Sequence, residues 1–458
     1  MLWRFLRWLF SFSYNRNIHG SARFATGIWR LLVLARWKNG LVIDGVNKIS
    51  LKRSYAHCCV LAPSGTGKTT RFIIPNVLNL KKNSAVITDP SGEIYDLTAP
   101  HLRKIGYQVK VLNVADVNAS LQYNSLHRCH THTEIQKTAE ILVEAAYPKT
   151  SFQKDAFWND GAKQIINICI RALKSQKNPQ DANLFKLKEL LNMLGYDTKK
   201  AAASMKGLDQ ATFNDLKAFI SQDDKVFDGM LSTAKAALGK LSDPNIAKLT
   251  EGETLDFESL RTDKTVIFII VPEHEVQYYS FIISLLYSDI FNFCMQKKQA
   301  GQSYIPVMFF LDEFGNSGKL PSFSTIITTL RKRKCSISIV LQDIQQLVNT
   351  YGQSDASTIL NGGCSSRIYY PGLSLQTCEE LSRMLGSRTI SYREGGYESH
   401  GDGMQNRYRN MGRLLLTPDE IRTLKSQHGI FVHGNELPIR LKTVAWFESM
   451  SMTLKTRT

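Results

Sequence analysis

The sequence lacks the cysteine spacings that build zinc ribbons and disulfide frameworks. Eight cysteines are scattered over 458 residues, and no C-x-x-C pair occurs among them. Several stand in strongly apolar runs: Cys58, Cys59, Cys169 and Cys294. The nearest approach to a ligand cluster comprises four side chains: His127, Cys129, His130 and His132. Because no second ligand pair follows at a finger-like distance, we expect a chain of a reducing compartment without a zinc site.

Long hydrophobic runs are also missing. No run of about 18 apolar residues is free of charged breaks, so the sequence predicts no membrane-spanning helix. The best candidate, residues 281–295, is interrupted by four polar residues: Ser284, Ser288, Asp289 and Asn292. This stretch is therefore more typical of a core helix.

The first 14 residues surround Arg4 and Arg7 with tryptophan, phenylalanine and leucine. The segment is too short to span a bilayer and has no cleavage site, and aromatic-basic stretches of this kind lie in the membrane interface. The pattern recurs between Trp29 and Trp37. Residues 1–38 are therefore predicted to be a membrane-proximal segment, with a helix packed on its own domain as the alternative.

Acidic residues are in deficit. Asp and Glu number 40 against 57 Lys and Arg, which gives a formal net charge of +17. Such an excess favours a polyanionic partner, either nucleic acid or an anionic membrane surface, and charge alone does not choose between them. The hydrophobic content of 43% and charged content of 21% are ordinary for a globular protein, so extensive disorder is not expected.

The order of periodic segments predicts an α/β fold. Short β-rich runs alternate with helical spacing over residues 41–115 and again from residue 265 onward, which is typical of a mainly parallel sheet covered by helices. Residues 128–250 have helical spacing without a convincing strand. We therefore predict one α/β domain in two parts, residues 39–126 and 256–458, interrupted by an all-α insertion domain at residues 127–255. Residues 391–411, rich in Gly, Tyr and Arg, are predicted to form a long mobile loop.

Residues 60–70 read Val-Leu-Ala-Pro-Ser-Gly-Thr-Gly-Lys-Thr-Thr and stand between a predicted strand and a predicted helix. Glycines at these positions let backbone N–H groups surround phosphate oxygens, the lysine neutralises the β- and γ-phosphates, and the first threonine hydroxyl is suited to ligate Mg²⁺. Ala62 replaces the usual first glycine, and a small residue is compatible with ordinary backbone angles there. The predicted ATP-binding loop comprises nine residues: Ala62, Pro63, Ser64, Gly65, Thr66, Gly67, Lys68, Thr69 and Thr70.

An apolar run at residues 306–311 ends in Asp312 and Glu313. In a parallel sheet such a strand end converges on the crevice beside the phosphate loop. Asp312 would hold Mg²⁺ through water and complete the metal shell begun by Thr69, while Glu313 would orient and polarise the attacking water. The alternative is a strand whose acidic end meets solvent or caps a helix.

Two further polar residues follow predicted strands. Gln342 comes directly after an apolar run at residues 336–341 and could sense the γ-phosphate, or could be a surface amide. Asp89, which precedes Pro90, could act in catalysis or start a helix as its N-cap with Pro90 at the first position.

Seven other segments accompany these motifs in a fixed order: residues 19–25, 88–95, 155–160, 312–320, 341–347, 381–386 and 415–420. Together with the phosphate loop, they resemble the type IV secretion coupling protein family (TraG/TraD-like), the motors that feed DNA–relaxase complexes into conjugation machines. The resemblance covers nearly the whole chain after residue 18.

The resemblance implies a RecA-like motor domain, a helical insertion that recruits substrate, and a homo-hexameric ring with ATP at the subunit interfaces. In such rings a neighbouring subunit contributes an arginine to the γ-phosphate. Arg331, in the basic run at residues 331–334, lies where the family places one. A solvated helix face or a DNA-contacting patch is the alternative for this run.

The resemblance also implies partners and a location. Implied partners are single-stranded DNA or duplex, relaxase and relaxosome proteins, and inner-membrane components of the secretion system, at the cytoplasmic face of a bacterial inner membrane. Members of the family usually begin with two transmembrane helices, whereas this chain has a short aromatic-basic segment. Attachment is therefore expected to be peripheral or through partners.

Two basic regions are candidates for the nucleic-acid path, since Lys and Arg bind the phosphate backbone and aromatic rings stack on bases. One is the run at residues 331–334. The other is the predicted loop, whose relevant side chains are Tyr392, Arg393, Tyr397, Arg407, Tyr408 and Arg409; a plain flexible loop is the alternative. Two rival functions stay open: an FtsK-like double-strand DNA translocase, and an ATP-dependent receptor that docks relaxase or effector proteins without translocation.

Overall fold

The computed structural model describes residues 17–147, 153–176, 178, 181–196, 208–297, 304–316, 318–395 and 406–457. The predicted interfacial segment at residues 1–14 lies outside these ranges, as does Tyr397 of the predicted nucleic-acid loop.

The described residues contain eleven strands: β1 Cys58–Leu61, β2 Ser84–Asp89, β3 Gln108–Asn113, β4 Thr265–Ile270, β5 Val307–Leu311, β6 Cys335–Leu341, β7 Ser366–Tyr369, β8 Ser387–Gly395, β9 Asn406–Leu414, β10 His428–His433 and β11 Ile439–Lys442. Nine of them form one sheet in the order β11-β10-β7-β1-β6-β5-β2-β4-β3. Neighbouring strands are parallel except at β10, which is antiparallel to both β7 and β11. The predicted mainly parallel sheet is confirmed.

The sheet is buried on both faces because its apolar side chains alternate between two cores. In β1, Cys59 and Leu61 belong to one core, whereas Cys58 and Val60 belong to the other. Parallel strands that are covered on both faces are expected to be continuously apolar in sequence. In agreement, all seven residues of β6 are buried. The polar groups that end these strands are thereby directed to the sheet's carboxyl edge.

The described residues contain nineteen α-helices: α1 Gly27–Val33, α2 Leu51–Ser54, α3 Ile74–Leu78, α4 Glu93–Lys104, α5 Ser125–Arg128, α6 His132–Ala146, α7 Gln153–Lys174, α8 Leu184–Tyr196, α9 Gln210–Ile220, α10 Asp224–Ala237, α11 Pro244–Glu251, α12 Ser259–Thr262, α13 Val276–Met295, α14 Phe323–Leu330, α15 Ile344–Tyr351, α16 Gln353–Ser357, α17 Leu375–Leu385, α18 Pro418–Arg422 and α19 Met450–Thr456. Shorter 3₁₀ and π turns are Thr69–Ile73, Gly239–Ser242, Glu273–Glu275, Phe314–Asn316, Arg331–Arg333, Thr358–Gly363 and Trp446–Glu448.

The described chain between β3 and β4 is helical. Helix α6 starts at a capping box, in which Thr131 accepts from the Glu134 N–H and the Glu134 carboxylate accepts from the Thr131 N–H. Apolar side chains of α6–α11 share one core with α13 and one face of the sheet. The structure therefore joins this helical segment to the sheet through α13. The predicted domain boundaries at residues 127 and 255 stay a prediction.

Helix α13 is largely buried, as the sequence predicts for residues 281–295. Among the described residues, no helix combines the length and apolarity needed to cross a bilayer.

The prediction of a long loop at residues 391–411 is wrong for residues 391–395 and 406–411, because β8 and β9 pair as antiparallel strands from Ser387↔Leu414 to Gly395↔Asn406. Residues 396–405 lie outside the described ranges. Residues 17–22 add to the edge of this strand pair: the Ala22 N–H donates to the Ser387 carbonyl at 3.0 Å, and the Thr389 N–H donates to the Gly20 carbonyl at 3.0 Å. Main-chain hydrogen bonds between antiparallel strands do not require alternating apolar side chains. The amino-acid composition of this segment therefore did not predict the hairpin.

Candidate nucleotide-binding site

The phosphate loop connects β1 to the helical turn Thr69–Ile73, which continues as α3. Gly65 and Gly67 have φ of +78° and +85°, a backbone region that glycine enters without steric cost. A Cβ on Gly67 would lie 3.0 Å from Thr70 Oγ1. Ala62 is fully buried and its N–H donates to the Leu341 carbonyl at 2.9 Å. The loop is therefore hydrogen-bonded to β6 at its start and leads into the N-terminus of a helical turn. Backbone N–H groups at such a position can bind phosphate.

Lys68 and Glu313, distant in sequence, form an ion pair. Gln342 Nε2 donates to the same carboxylate, at 3.1 Å to Oε2 and 3.3 Å to Oε1. The Gln342 backbone N–H in turn donates to Gln346 Oε1 at 2.9 Å. The lysine of the loop, the second carboxylate after β5 and the amide after β6 therefore meet at one point.

Thr69 Oγ1 donates to Asp312 Oδ2 at 3.0 Å. The other oxygen, Asp312 Oδ1, accepts from the Glu313 N–H at 3.0 Å. The two predicted magnesium ligands are thus neighbours, as expected when β5 and β1 flank β6 in a parallel sheet.

Burial dominates the electrostatics of the site. It raises the pKa of Asp312 to about 6, although the Lys68 charge and the Thr69 hydroxyl oppose this rise. Burial also lowers the pKa of Lys68, opposed by the charges of Asp312 and Glu273. A site of this kind, with charged groups out of bulk water, strengthens every interaction with a polyanionic ligand.

Asp89 lies at the end of β2 and also faces this edge. The interpretation of Asp89 as N-cap with Pro90 at the first helical position is wrong, because α4 begins at Glu93 after Gly92. Asp89 Oδ2 instead accepts from the Tyr95 N–H at 2.8 Å, and its buried Oδ1 has no hydrogen-bond partner among the described residues. Burial, with a contribution from the charge of Asp312, raises its pKa to about 6.

Arg331 does not join this cluster within the chain. It is exposed in the turn that precedes β6, at the amino edge of the sheet. Gln342 follows β6 at the carboxyl edge, so the seven residues of β6 separate the two by about 20 Å. The predicted action of Arg331 on a neighbouring subunit's nucleotide stays a prediction.

Sequence reasoning missed two charged groups near the site. Glu273 follows β4, and its charge raises the pKa values of both Lys68 and Asp312. Its place after a predicted strand could have revealed it. Arg71, three residues after Lys68, donates to Glu448 Oε2 and to the Thr443 carbonyl, both at 3.1 Å. This contact joins the C-terminal part of the chain to the phosphate loop. No sequence pattern predicts it.

Cys129, one of the His and Cys group near residue 130, contacts its own local structure. Cys129 is buried, with its Sγ 3.3 Å from the Ser125 carbonyl and 3.2 Å from Thr138 Oγ1. Across the residues that the structure describes, no group of three or more His, Cys, Asp or Glu side chains is placed to hold a metal ion.

Part of the predicted nucleic-acid surface lies on the β8–β9 hairpin. Tyr392 pairs with Arg409 across the two strands, and both side chains are exposed. Arg393, Arg407 and Tyr408 belong to the same two strands. Binding of nucleic acid there stays a prediction.

Comparison with known sequences finds conjugation proteins. VirD4 of Rhizobium radiobacter is 23% identical over 407 residues, which cover 86% of this chain and 58% of VirD4. TraG of the same organism is 23% identical over 416 residues, 87% of this chain and 63% of TraG. A TraG of Escherichia coli is 25% identical over 467 residues, 89% and 71% respectively. The chain spans less than two thirds of the length of the two Rhizobium relatives.

Comparison with solved structures finds the same fold. The conjugative coupling protein TrwB, in an unbound form lacking its N-terminal part (TrwBdeltaN70), matches with a TM-score of 0.71 at 18% identity, covering 92% of each chain. TrwB in complex with ADP and Mg²⁺ matches with a TM-score of 0.71 at 17% identity, covering 93% and 94%. At this identity the likeness shows the fold, and it confirms the predicted RecA-like α/β class. A family model described as type IV secretory system conjugative DNA transfer matches residues 35–458, and the chain belongs to that family.

Proposed function

We propose that this chain is an ATP-hydrolysing coupling protein that recruits a DNA–relaxase complex to a type IV secretion or conjugation system and drives DNA transfer. The observation that carries the proposal is the meeting of Lys68, Thr69, Asp312, Glu313 and Gln342 in one site of a conjugative DNA transfer family member. A phosphate loop alone also serves passive nucleotide binders. The Glu313–Gln342 pair supplies what hydrolysis also needs, a carboxylate placed to orient an attacking water.

The residues of the site fit ATP as substrate and Mg²⁺ as its ion. The loop offers backbone N–H groups and an ammonium to the phosphates. Thr69 Oγ1 and Asp312 Oδ2, 3.0 Å apart, are oxygen donors of the kind that Mg²⁺ prefers. These two residues would hold the ion, which would supply positive charge to the β- and γ-phosphates. Solved structures of TrwB contain ADP with Mg²⁺ or the ATP analogue ADPNP, which supports these ligands.

Glu313 and Lys68 carry the hydrolytic step in this proposal. A triphosphate competes with the Glu313 carboxylate for the single Lys68 ammonium, so Lys68 turns to the phosphates when ATP binds. Glu313, still hydrogen-bonded to Gln342, then orients and polarises the attacking water. Gln342 relays the presence of the γ-phosphate to α15, because its backbone N–H is held by Gln346 on that helix.

The remainder of the molecule supports a DNA-handling role. A net charge of +17 favours a polyanion, and Arg331, Lys332 and Lys334 are exposed beside β6. We assign the nucleic-acid path to this run and to the β8–β9 hairpin, with single-stranded DNA as the ligand. The helical segment at residues 127–255 is the proposed dock for relaxase, and the protein would act as a homo-hexamer with inner-membrane components of the secretion system at the cytoplasmic face of the membrane.

The proposal is tested by ATP hydrolysis with single-stranded DNA, duplex DNA or no DNA. Single-stranded DNA should stimulate the wild type, and Lys68→Ala should lower the rate by at least about 100-fold, because the ammonium stabilises charge in the transition state. Lys217→Ala, at an exposed position of α9, is the matched control and should be unaffected. Stimulation by duplex above single strands would favour an FtsK-like translocase. Absence of turnover under every condition would contradict the proposal and favour a receptor.

A further inference from the structure

A cavity of about 780 Å³ lies at the edge of the sheet opposite the candidate nucleotide site. Five parts of the chain line it: residues 36–42 after α1, Lys48 with Leu51, residues 76–83 from α3 to the turn before β2, Lys264 before β4, and residues 304–310 around β5. Its volume is within the range of ordinary ligand pockets. The proposed ATPase mechanism makes no use of it.

The cavity is strongly cationic. Its basic lining residues are Arg36, Lys38, Lys48, Lys81, Lys82 and Lys264, and none of the described residues that line it is Asp or Glu. Lys38 and Lys264 donate to backbone carbonyls, of Leu32 and Ile105 respectively, which hold their ammonium groups without neutralising them. Six positive charges around one cavity repel each other unless an anion joins them.

The pKa of Lys48 shows this crowding. Burial lowers it first, and the charge of Lys81 lowers it further. Lys455 of α19 is affected in the same way, by burial and then by the charges of Lys48 and Lys81. Among the described residues, neither Lys48 nor Lys81 has a carboxylate within ion-pair distance.

An exposed apolar surface adjoins the cavity. Helix α1 exposes Ile28 to 67%, Trp29 to 58% and Leu32 to 55%, and Trp37, which itself lines the cavity, is 74% exposed. The Leu32 carbonyl accepts from Lys38, so the end of α1 and the rim of the cavity are in contact. Branched aliphatic and tryptophan side chains beside a lysine cluster are typical of a surface that enters the headgroup region of a bilayer.

From this juxtaposition we propose that the cavity binds the phosphate headgroups of anionic lipids, while the exposed side chains of α1 enter the membrane interface. Nucleic acid would satisfy the lysines equally well, but it offers nothing to Ile28 or Leu32, and a bilayer satisfies both surfaces. The inference is independent of the proposed ATPase activity, because the cavity and the nucleotide lie at opposite edges of the sheet.

Flotation with lipid vesicles tests the proposal on the full chain. The probes are phosphatidylcholine vesicles alone and the same vesicles containing phosphatidylglycerol. We expect binding to require the anionic lipid and to weaken with added NaCl. Lys81→Gln and Lys82→Gln, both exposed in the wild type, should each weaken binding by about fivefold, and the double variant by about 25-fold. Trp29→Ala should weaken binding without changing its salt dependence.

The matched control is Lys217→Gln combined with Lys225→Gln, an exposed pair in the helical segment that removes the same charge. It should bind anionic vesicles as the wild type does, and all variants should keep the basal ATPase rate. Equal vesicle binding by the Lys81/Lys82 double variant and the wild type would overturn the proposal. Loss of single-stranded DNA binding in the double variant, with vesicle binding intact, would assign the cavity to nucleic acid instead. A changed oligomeric state with vesicle binding intact would assign the cavity to a neighbouring copy of the chain.

Discussion

Glu313 reaches Lys68 and Gln342 from a backbone conformation with φ of +49°, which non-glycine residues rarely adopt. Such a conformation costs about 1–3 kcal/mol and persists where the surrounding structure fixes it. Here the Glu313 N–H is held by Asp312 Oδ1, and the turn directs the Asp312 carboxylate to Thr69 and the Glu313 carboxylate to Lys68 and Gln342. The strain therefore supports a functional role for the pair.

At this scale we predict the effect of Glu313→Gln. The substitution keeps the size of the side chain but removes the carboxylate, so the rate of ATP hydrolysis should fall by about 10²–10⁴-fold. Binding of a fluorescent ATP analogue should persist, because Lys68 and the loop are intact. In cells, docking of the relaxase complex should continue while DNA transfer stops.

Glu251→Gln, an exposed substitution at the end of α11, is the matched control and should behave as the wild type. Transfer that survives in Glu313→Gln at the wild-type level would contradict the motor function and favour an ATP-dependent receptor.

At the scale of elements, a buried polar contact joins α13 to the chain between β3 and α5. Tyr123 Oη donates to Asp289 Oδ2 at 2.5 Å. Burial raises the pKa of Asp289 to about 7; Tyr123 and Arg128 oppose this rise, and the charge of Glu253 adds to it. A carboxyl buried between α13 and the segment before α5 thus prefers its neutral form in the folded chain.

The raised pKa predicts a pH dependence of stability. Because the folded pKa exceeds the unfolded value, the stabilisation is complete at low pH and is lost as pH rises through about 7. Each pH unit in which only the folded state holds the proton changes the free energy of unfolding by about 1.4 kcal/mol. Between pH 5 and pH 8, the melting temperature of the wild type should therefore fall relative to that of Asp289→Asn, which keeps an acceptor for Tyr123.

The exposed substitution Asp228→Asn controls for the change in net charge and should follow the wild type. Parallel melting curves of Asp289→Asn and wild type across this pH range would show that the carboxyl is ionised in both states.

At the scale of the whole molecule, the length of the strands separates the candidate nucleotide site from Arg331. The nucleotide groups gather at the carboxyl ends of β1, β5 and β6, while Arg331 lies at the amino end of β6. A trans-acting arginine would therefore have to come from a second copy whose amino edge abuts this copy's carboxyl edge. Head-to-tail contacts of that kind close into rings when the rotation between successive copies closes.

This arrangement predicts complementation between two inactive variants. Arg331→Ala should keep nucleotide binding but lower the rate of hydrolysis by about 10³-fold or more. When it is mixed with Lys68→Ala, a Lys68→Ala subunit can supply its arginine to the intact loop of an Arg331→Ala subunit. Random mixing at equal amounts should restore about a quarter of the wild-type rate, since half the subunits have an intact loop and half of their neighbours an intact arginine.

Lys332→Ala, at the next exposed position of the same basic run, is the matched control. It should retain hydrolysis if Arg331 acts on nucleotide, whereas equal losses in both variants, with no recovery on mixing, would assign the run to DNA or to structure.

The sequence by itself determined the class of the fold and predicted which residues meet in the candidate nucleotide site. Local sequence patterns predict these features: the glycine spacing around Lys68, and the apolar runs that end in Asp312, Glu313 and Gln342. These residues meet because parallel strands present their carboxyl ends at one edge of the sheet. Only the tertiary structure decided what depends on pairing between distant segments. The β8–β9 hairpin is held by main-chain bonds that side-chain composition does not encode, and the Arg71–Glu448 contact joins residues 377 positions apart. The lysine cavity likewise exists only because five separate parts of the chain fold against one edge of the sheet.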